Sequence, residues 1–251
     1  MAGSETAARR VALVTGASRG IGAETAKLLA AKGMHVVVNY REKARRAQAV
    51  VDEIIAAGGN ASAIGADLSD REDVARMLGD LERGLGRLDA MVLNASGGLE
   101  RDADPGYALR LNRDAQVQLA TAALPLLSSG GRIVFVTSHQ AHFHGTGRPL
   151  PDGYEPIAAS KRAGEDALRA LIPEFARRGV GFTVVSGDMI DGTIIIRLLE
   201  RRDPDAVAAR RDAGPLPTVE DFAETVVAAV DARVADGHTF YVGGDDYVDA
   251  R

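Results

Sequence analysis

Thr15-Gly16-Ala17-Ser18-Arg19-Gly20-Ile21-Gly22 decides how the rest of the chain reads. An apolar run, Val11-Ala12-Leu13-Val14, precedes it, and an Ala- and Leu-rich stretch ending near Lys32 follows. The pattern is strand, glycine turn, helix. Gly16 supplies the positive φ of a tight turn. Gly20 and Gly22 carry no Cβ, so a phosphate can approach the backbone and the helix can pack close to its strand. The N–H groups at the helix start then face a pyrophosphate. The flanking strand and helix are the context that separates such a turn from an ordinary glycine-rich loop.

The same alternation continues outward. Met34 to Asn39 reads as a second buried strand, with Gly33 capping the first helix. A helix spans Ala44 to Ala57 and stops at Gly58-Gly59; a short strand spans Ala61 to Ala66. Asp70 caps a helix running to about Arg83, and Leu88 to Leu93 is a fourth strand ending in Asn94-Ala95-Ser96-Gly97-Gly98. A long helix is expected over Ala108 to Leu127, then Gly130-Gly131 and a fifth strand, Arg132 to Thr137. His139 to Pro156 reads as irregular, and Ala158 to Arg177 as a helix that Pro173 kinks. Gly181 to Val185 is the sixth strand, Thr193 to Arg211 a helical excursion, and Thr218 with Asp221 the start of another helix through a capping box. Thr239 to Val242 closes the series. These elements predict an α/β fold: a Rossmann-type, doubly wound parallel sheet of about seven strands with helices on both faces, as a single domain over residues 1–251. Met1 to Arg9 reads as a loose tail.

Composition narrows the partners. The 251 residues carry a net charge of −5, which offers nucleic acid no basic surface. The absence of cysteine excludes disulfides and thiolate catalysis and fits a cytoplasmic location. No apolar run reaches membrane-spanning length. A small-molecule ligand remains. In a sheet of this kind it binds beyond the carboxyl ends of the strands, where the unusual residues sit: Gly16, Tyr40, Asp67, Asn94, Ser138 and Gly187.

The chain resembles the short-chain dehydrogenase/reductase family. The residues that carry the resemblance are Thr15 to Gly22, Asp67-Leu68, Asn94-Ala95, Asn112, Gly131-Arg132-Ile133-Val134 through Ser138, and Ser160-Lys161, in matching order from about Val11 to Val242. The resemblance implies a nicotinamide cofactor, a small-molecule carbonyl substrate and a homodimer or homotetramer. It places Gly16, Ser18, Arg19, Gly20, Ile21 and Gly22 around the pyrophosphate. Asp67 and Leu68 would lie by the adenine, or else cap the loop and fill the core. Asn94, Ala95 and Ser96 would lie near the adenine-side ribose, with Asn94 also able to satisfy strand-end backbone. After the second strand the chain has Asn39-Tyr40-Arg41 and no acid. Arg41 and Arg19 each offer a guanidinium fork to a 2′-phosphate, which points to NADP(H); the alternative is a surface arginine. Arg45 and Arg46 read as a solvated helix face.

In the family a serine, a tyrosine and a lysine act together, helped by an asparagine. Ser138, Lys161 and Asn112 match, but Ile157 holds the place of the tyrosine, four residues before Lys161. Three substitutes present themselves: His139, next to Ser138; Tyr154, expected on the loop ahead of Pro156; or the substrate itself, through a phenol beside its carbonyl. His142 and His144 read as a polar lid. Where the family has Pro-Gly after the sixth strand, this chain has Ser186-Gly187-Asp188-Met189; Gly187 keeps a turn there, and Met189 and Thr193 are expected near the nicotinamide carboxamide. The function expected is NADPH-dependent reduction of a bulky, partly aromatic, polyketide-like ketone with a proton source other than tyrosine. The alternative is a cofactor-binding sensor or partner subunit with little turnover.

Overall fold

Val11–Val14 (β1) is an all-apolar strand, and all four of its residues are buried. Such a strand needs cover on both faces and neighbours on both edges. The computed structural model, which describes residues 9–98 and 106–244, supplies both. β1 lies parallel between His35–Tyr40 (β2) and Leu88–Leu93 (β4). Asn60–Gly65 (β3), Leu127–Ser138 (β5), Gly181–Gly187 (β6) and His238–Val242 (β7) complete a seven-stranded parallel sheet in the order β3-β2-β1-β4-β5-β6-β7. The order reverses direction between β1 and β4, so the turns after those two strands diverge and open a crevice. Strand residues alternate between two apolar layers. Leu13, Met91, Ile133 and Phe182 pack with Met77, Leu119 and Phe175 on one side. Val14, Val92, Val134 and Val185 pack with Leu29, Ile54, Phe222 and Val226 on the other.

The helices are Gly20–Ala31 (α1), Ala44–Ala56 (α2), Arg71–Leu85 (α3), Tyr107–Leu109 (α4), Ala115–Ala123 (α5), His139–His142 (α6), Glu155–Ala170 (α7), Ile172–Arg177 (α8), Ile194–Arg202 (α9), Pro204–Ala213 (α10) and Val219–Asp231 (α11). Asp70 caps α3 by accepting from the N–H groups of Glu72 and Asp73, and Thr218 and Asp221 form the expected capping box on α11.

Several boundaries differ from the sequence reading, each for a local reason. The long helix expected over Ala108 to Leu127 is shorter and broken: a π-helical turn, Arg110–Asp114, joins α4 to α5. β5 begins at Leu127 because Leu127 pairs with Leu88 ahead of a register shift, and Gly130-Gly131 lies inside that irregular stretch. Four residues of the expected loop, His139–His142, form α6. α7 starts at Glu155, since Pro156 falls in the first turn, where a missing N–H costs nothing. Pro173 ends that helix outright and opens α8. The excursion after Thr193 divides at Asp203, whose side chain caps α10. Residues 1–8 of the expected tail lie outside the described residues.

Candidate active site and dinucleotide cradle

The turn after β1 has the features a pyrophosphate requires. Gly16 has φ +62°, and a Cβ there would stand 3.0 Å from Cα of Ala95. Gly20 has φ +54° and faces open space. A Cβ on Gly22 would stand 2.6 Å from Nδ2 of Asn94, so this glycine lets α1 press against the β4 loop. Arg19 at the N-cap is extended, and no side chain caps α1. The first N–H groups of the helix therefore point into the crevice with no side chain from the cap to satisfy them, and the cradle fits a dinucleotide phosphate. Ser18 is half-buried in the same turn, and Ile21 packs on the core beneath.

Around the crevice the expected residues divide. Asn94 donates to the carbonyl of Thr15 at 2.9 Å, and Thr15 Oγ1 accepts from the N–H groups of Asn94 and Ala95 at 2.9 and 3.0 Å. These bonds lock the β1 and β4 turns together, while Ser96 stays exposed. Asn39 is a correction. It is buried, accepting from Gly16 N–H and donating towards the carbonyls of Ile64 and Ala66, so it braces the turns from below. Asp67 accepts from the N–H and hydroxyl of Ser69, and Leu68 is buried in the core. Tyr40 lies over Gly65. Arg41 is exposed beyond β2, donates to the Tyr107 hydroxyl and pairs with Glu42 at 3.0 Å. On the far side, Gly187 ends β6 and serves packing rather than a turn: a Cβ would come within 2.2 Å of the Phe222 ring. Met189 is buried, and Thr193 caps α9 while donating to the Ile190 carbonyl at 2.8 Å.

At the end of β5 the chain brings together Ser138 and Tyr154. The Tyr154 hydroxyl lies 3.4 Å from Ser138 Oγ. Tyr154 ends the expected loop as the N-cap of α7, and it is only 5% exposed. Two hydroxyls at this separation can both donate to one oxygen placed before them. Burial raises the phenol above its ordinary pKa, with Ser138 opposing weakly, so Tyr154 holds its proton at neutral pH. Lys161 is buried on α7; burial brings its ammonium down to about 8, with the Glu165 charge opposing the fall. Asn112 sits in the π-helical turn. Its amide donates to Ser160 Oγ and Gly97 O, both at 2.9 Å, and its oxygen accepts from Gly97 N–H at 3.1 Å. A Cβ on Gly164 would stand 2.1 Å from the Asn112 carbonyl, so α7 rests directly on this turn. Ile157 is buried in an apolar cluster with Ala108, Tyr154, Met189, Ile196 and Leu199.

His139 does not join this group. Its ring is wholly buried, with Nδ1 2.8 Å from Ser186 Oγ and Nε2 2.8 Å from the carbonyl of Gly243. That carbonyl must accept, which puts the proton on Nε2 and makes Nδ1 the acceptor of the serine hydroxyl. Burial lowers its pKa, so His139 is a neutral strut. The sequence reading missed Tyr107 beside Arg41, the buried Asp188–Arg210 pair at 2.6 Å, and Glu165 with His142. Of these only Glu165 left a signal, its four-residue spacing from Lys161.

Comparisons with known proteins bear on the family and the fold. The family model for short chain dehydrogenases matches residues 10–202. The chain is 34% identical to 1-cyclohexenylcarbonyl-CoA reductase of Streptomyces collinus, over 94% of this chain and 86% of that protein. A short chain dehydrogenase from Burkholderia cenocepacia, solved in complex with NADP, superposes with a TM-score of 0.80 at 33% identity, covering 94% of this chain and 97% of that one. The angucycline C-6 ketoreductase LanV, solved with bound NADP, superposes with a TM-score of 0.79 at 27% identity, covering 94% and 95%.

Proposed function

Because the chain belongs to the short-chain dehydrogenase family, an oxidoreductase family that uses a nicotinamide cofactor, we propose that it is an NADPH-dependent ketoreductase acting on a bulky, partly aromatic ketone. The observation that carries this reading is the pair of hydroxyls, Ser138 and Tyr154, 3.4 Å apart at the end of β5, with Lys161 buried on α7, the helix that Tyr154 caps. The bound nicotinamide supplies the hydride. Ser138 and Tyr154 orient the carbonyl oxygen, Lys161 holds the ribose hydroxyls and lends positive charge, and Asn112 fixes Gly97 and α7 around them. Tyr154 then gives its proton to the alkoxide. The geometry thus favours a tyrosine reaching in from the helix cap over the substrate phenol expected from the sequence, which stays in play as the rival proton source. A cavity of about 410 Å³, a size suited to a polycyclic ring system, is lined by His139, Phe143, Arg148, Leu150 and Glu155 among others; Ser138 and Tyr154 precede two of these residues in the chain and are not themselves in its lining. The likeness to LanV, an angucycline ketoreductase, supports the same substrate class. Stopped-flow hydride transfer from NADPH to aromatic and aliphatic ketones tests the function: no transfer to any ketone leaves the alternative, a binding protein with little turnover.

Arg41 carries the preference for NADPH. Arg41→Ala is expected to weaken NADPH binding about ten- to a hundredfold, the worth of a charge-assisted hydrogen bond, and to leave NADH binding unchanged. Fluorescence titration of both cofactors checks this, and equal titration curves for the two cofactors with the wild type would end the claim.

For the assembly, we expect a homodimer or homotetramer joined through α5 and α7. Leu109, just ahead of α5, is one of three large hydrophobic side chains exposed among the described residues. Sedimentation at micromolar concentration should show an oligomer; a monomer there would contradict this arrangement.

A further inference from the structure

Arg41 and Tyr107 meet across the open end of β1. Arg41 follows β2, which flanks β1 on one side; Tyr107 opens α4, on the chain that leaves β4, which flanks β1 on the other. Nη1 of Arg41 donates to the Tyr107 hydroxyl, and the guanidinium carbon stands 5.9 Å from the centre of the Tyr107 ring, within reach of cation–π attraction. The turn after β1, with its glycines and its helix start bare of a side-chain cap, is the pyrophosphate cradle. A dinucleotide resting there carries its adenosine ribose towards the end of β2, where an arginine meets a 2′-phosphate. The contact between Arg41 and Tyr107 therefore lies at the adenosine end of the cleft.

The two partners of the guanidinium are unequal. Tyr107 is half-buried and packs on the apolar layer that contains Leu13 and Met91, so its hydroxyl is a fixed post. Glu42 pairs with Nη2 at 3.0 Å, but the two side chains are 44% and 59% exposed, and an ion pair so open to water holds little. A carboxylate also competes with a phosphate for the same donors. The neutral phenol oxygen accepts one N–H of the five and leaves the positive charge uncompensated. We propose that Tyr107 is a positioning residue for cofactor choice: it holds the Arg41 guanidinium at the cleft, where it meets a phosphate on the adenosine ribose, and keeps it from turning wholly to Glu42. This rests on the reading of Arg41 as the group that prefers NADPH. Ordering a long, flexible side chain before the ligand arrives removes part of the cost of binding. A tyrosine that only supported its helix would serve both cofactors alike.

NADPH and NADH differ only in the 2′-phosphate, so fluorescence titration of the full chain with each reads the effect directly. Tyr107→Phe deletes the hydroxyl and keeps the ring on its apolar layer. It is expected to raise Kd for NADPH about three- to tenfold, the ordering cost of one long side chain, and to leave Kd for NADH unchanged. In an Arg41→Ala background the same substitution should add no further loss, because the group it positions is gone. Three results overturn the proposal. One is an unmoved NADPH affinity in Tyr107→Phe. Another is an equal loss for both cofactors, which marks a packing residue. The third is an undiminished further loss on top of Arg41→Ala, which marks a contact independent of the arginine. The two readings fail separately. Arg41→Ala that keeps the wild-type preference for NADPH ends the reading of Arg41, whereas a wild-type-like Tyr107→Phe beside a weakened Arg41→Ala ends this inference alone.

Discussion

Tyr154→Phe lowers kcat for ketone reduction about a hundred- to ten-thousandfold, the contribution of a positioned general acid, and leaves NADPH affinity unchanged. The variant deletes one oxygen and keeps the ring, which packs with Ile157, Met189 and Leu199. The apolar cluster, and with it the fold, should survive, as circular dichroism would register. What is lost is the donor 3.4 Å from Ser138, in a phenol that burial keeps protonated. Two ketones that differ only in a hydroxyl beside the carbonyl separate the rival proton sources. If Tyr154 is the acid, both slow alike in the variant. If the substrate supplies the proton, the hydroxylated ketone reacts at nearly its wild-type rate and the hydroxyl-free one is poor even with wild-type protein. Full activity of Tyr154→Phe on both would remove Tyr154 from the chemistry.

Lys161→Ala should be almost as severe. Removing one fixed charge from a dry site costs about a hundred- to a thousandfold in rate, here joined by weaker NADPH binding, since the same ammonium is assigned to the ribose. The pH dependence has a definite sign. Lys161 is charged below its pKa and neutral above it, and burial has brought that pKa to about 8. NADPH affinity of the wild type should therefore weaken as pH rises through about 8, and that limb should vanish in Lys161→Ala. Unchanged affinity and hydride transfer in the variant would make Lys161 a packing residue only.

The sheet was legible because most strands contain a short apolar run and several helices carry a recognisable cap, as Asp70 and Thr218 show. The cradle was legible because glycines mark the places where a Cβ cannot fit, and Gly16 and Gly22 both prove to be such places. The catalytic corner was harder to read. Pro156 suggested that the helix began at Ala158, although proline in a first turn is compatible with helix; α7 starts at Glu155, so Tyr154 ends the loop as the N-cap and is held there. His139 looked well placed because it follows Ser138, yet neighbours at a strand end point to opposite faces, and the ring turned towards Ser186. Asn39 stood at the right place in the chain, but the same alternation aimed it into the sheet. Adjacency in sequence identifies the strand end; it does not say which side of it a side chain serves.

Gly98 carries a consequence for how this corner can change. Its φ is +111°, and a Cβ there would come within 2.6 Å of both Ile157 Cδ1 and Ala108 Cβ. Positions 98, 108 and 157 therefore share one small volume, already full. Any side chain at 98 demands that Ile157 or Ala108 give way first. The order of mutation matters: position 98 can leave glycine only after 157 or 108 has become smaller, so the loop after β4 and the start of α7 change together.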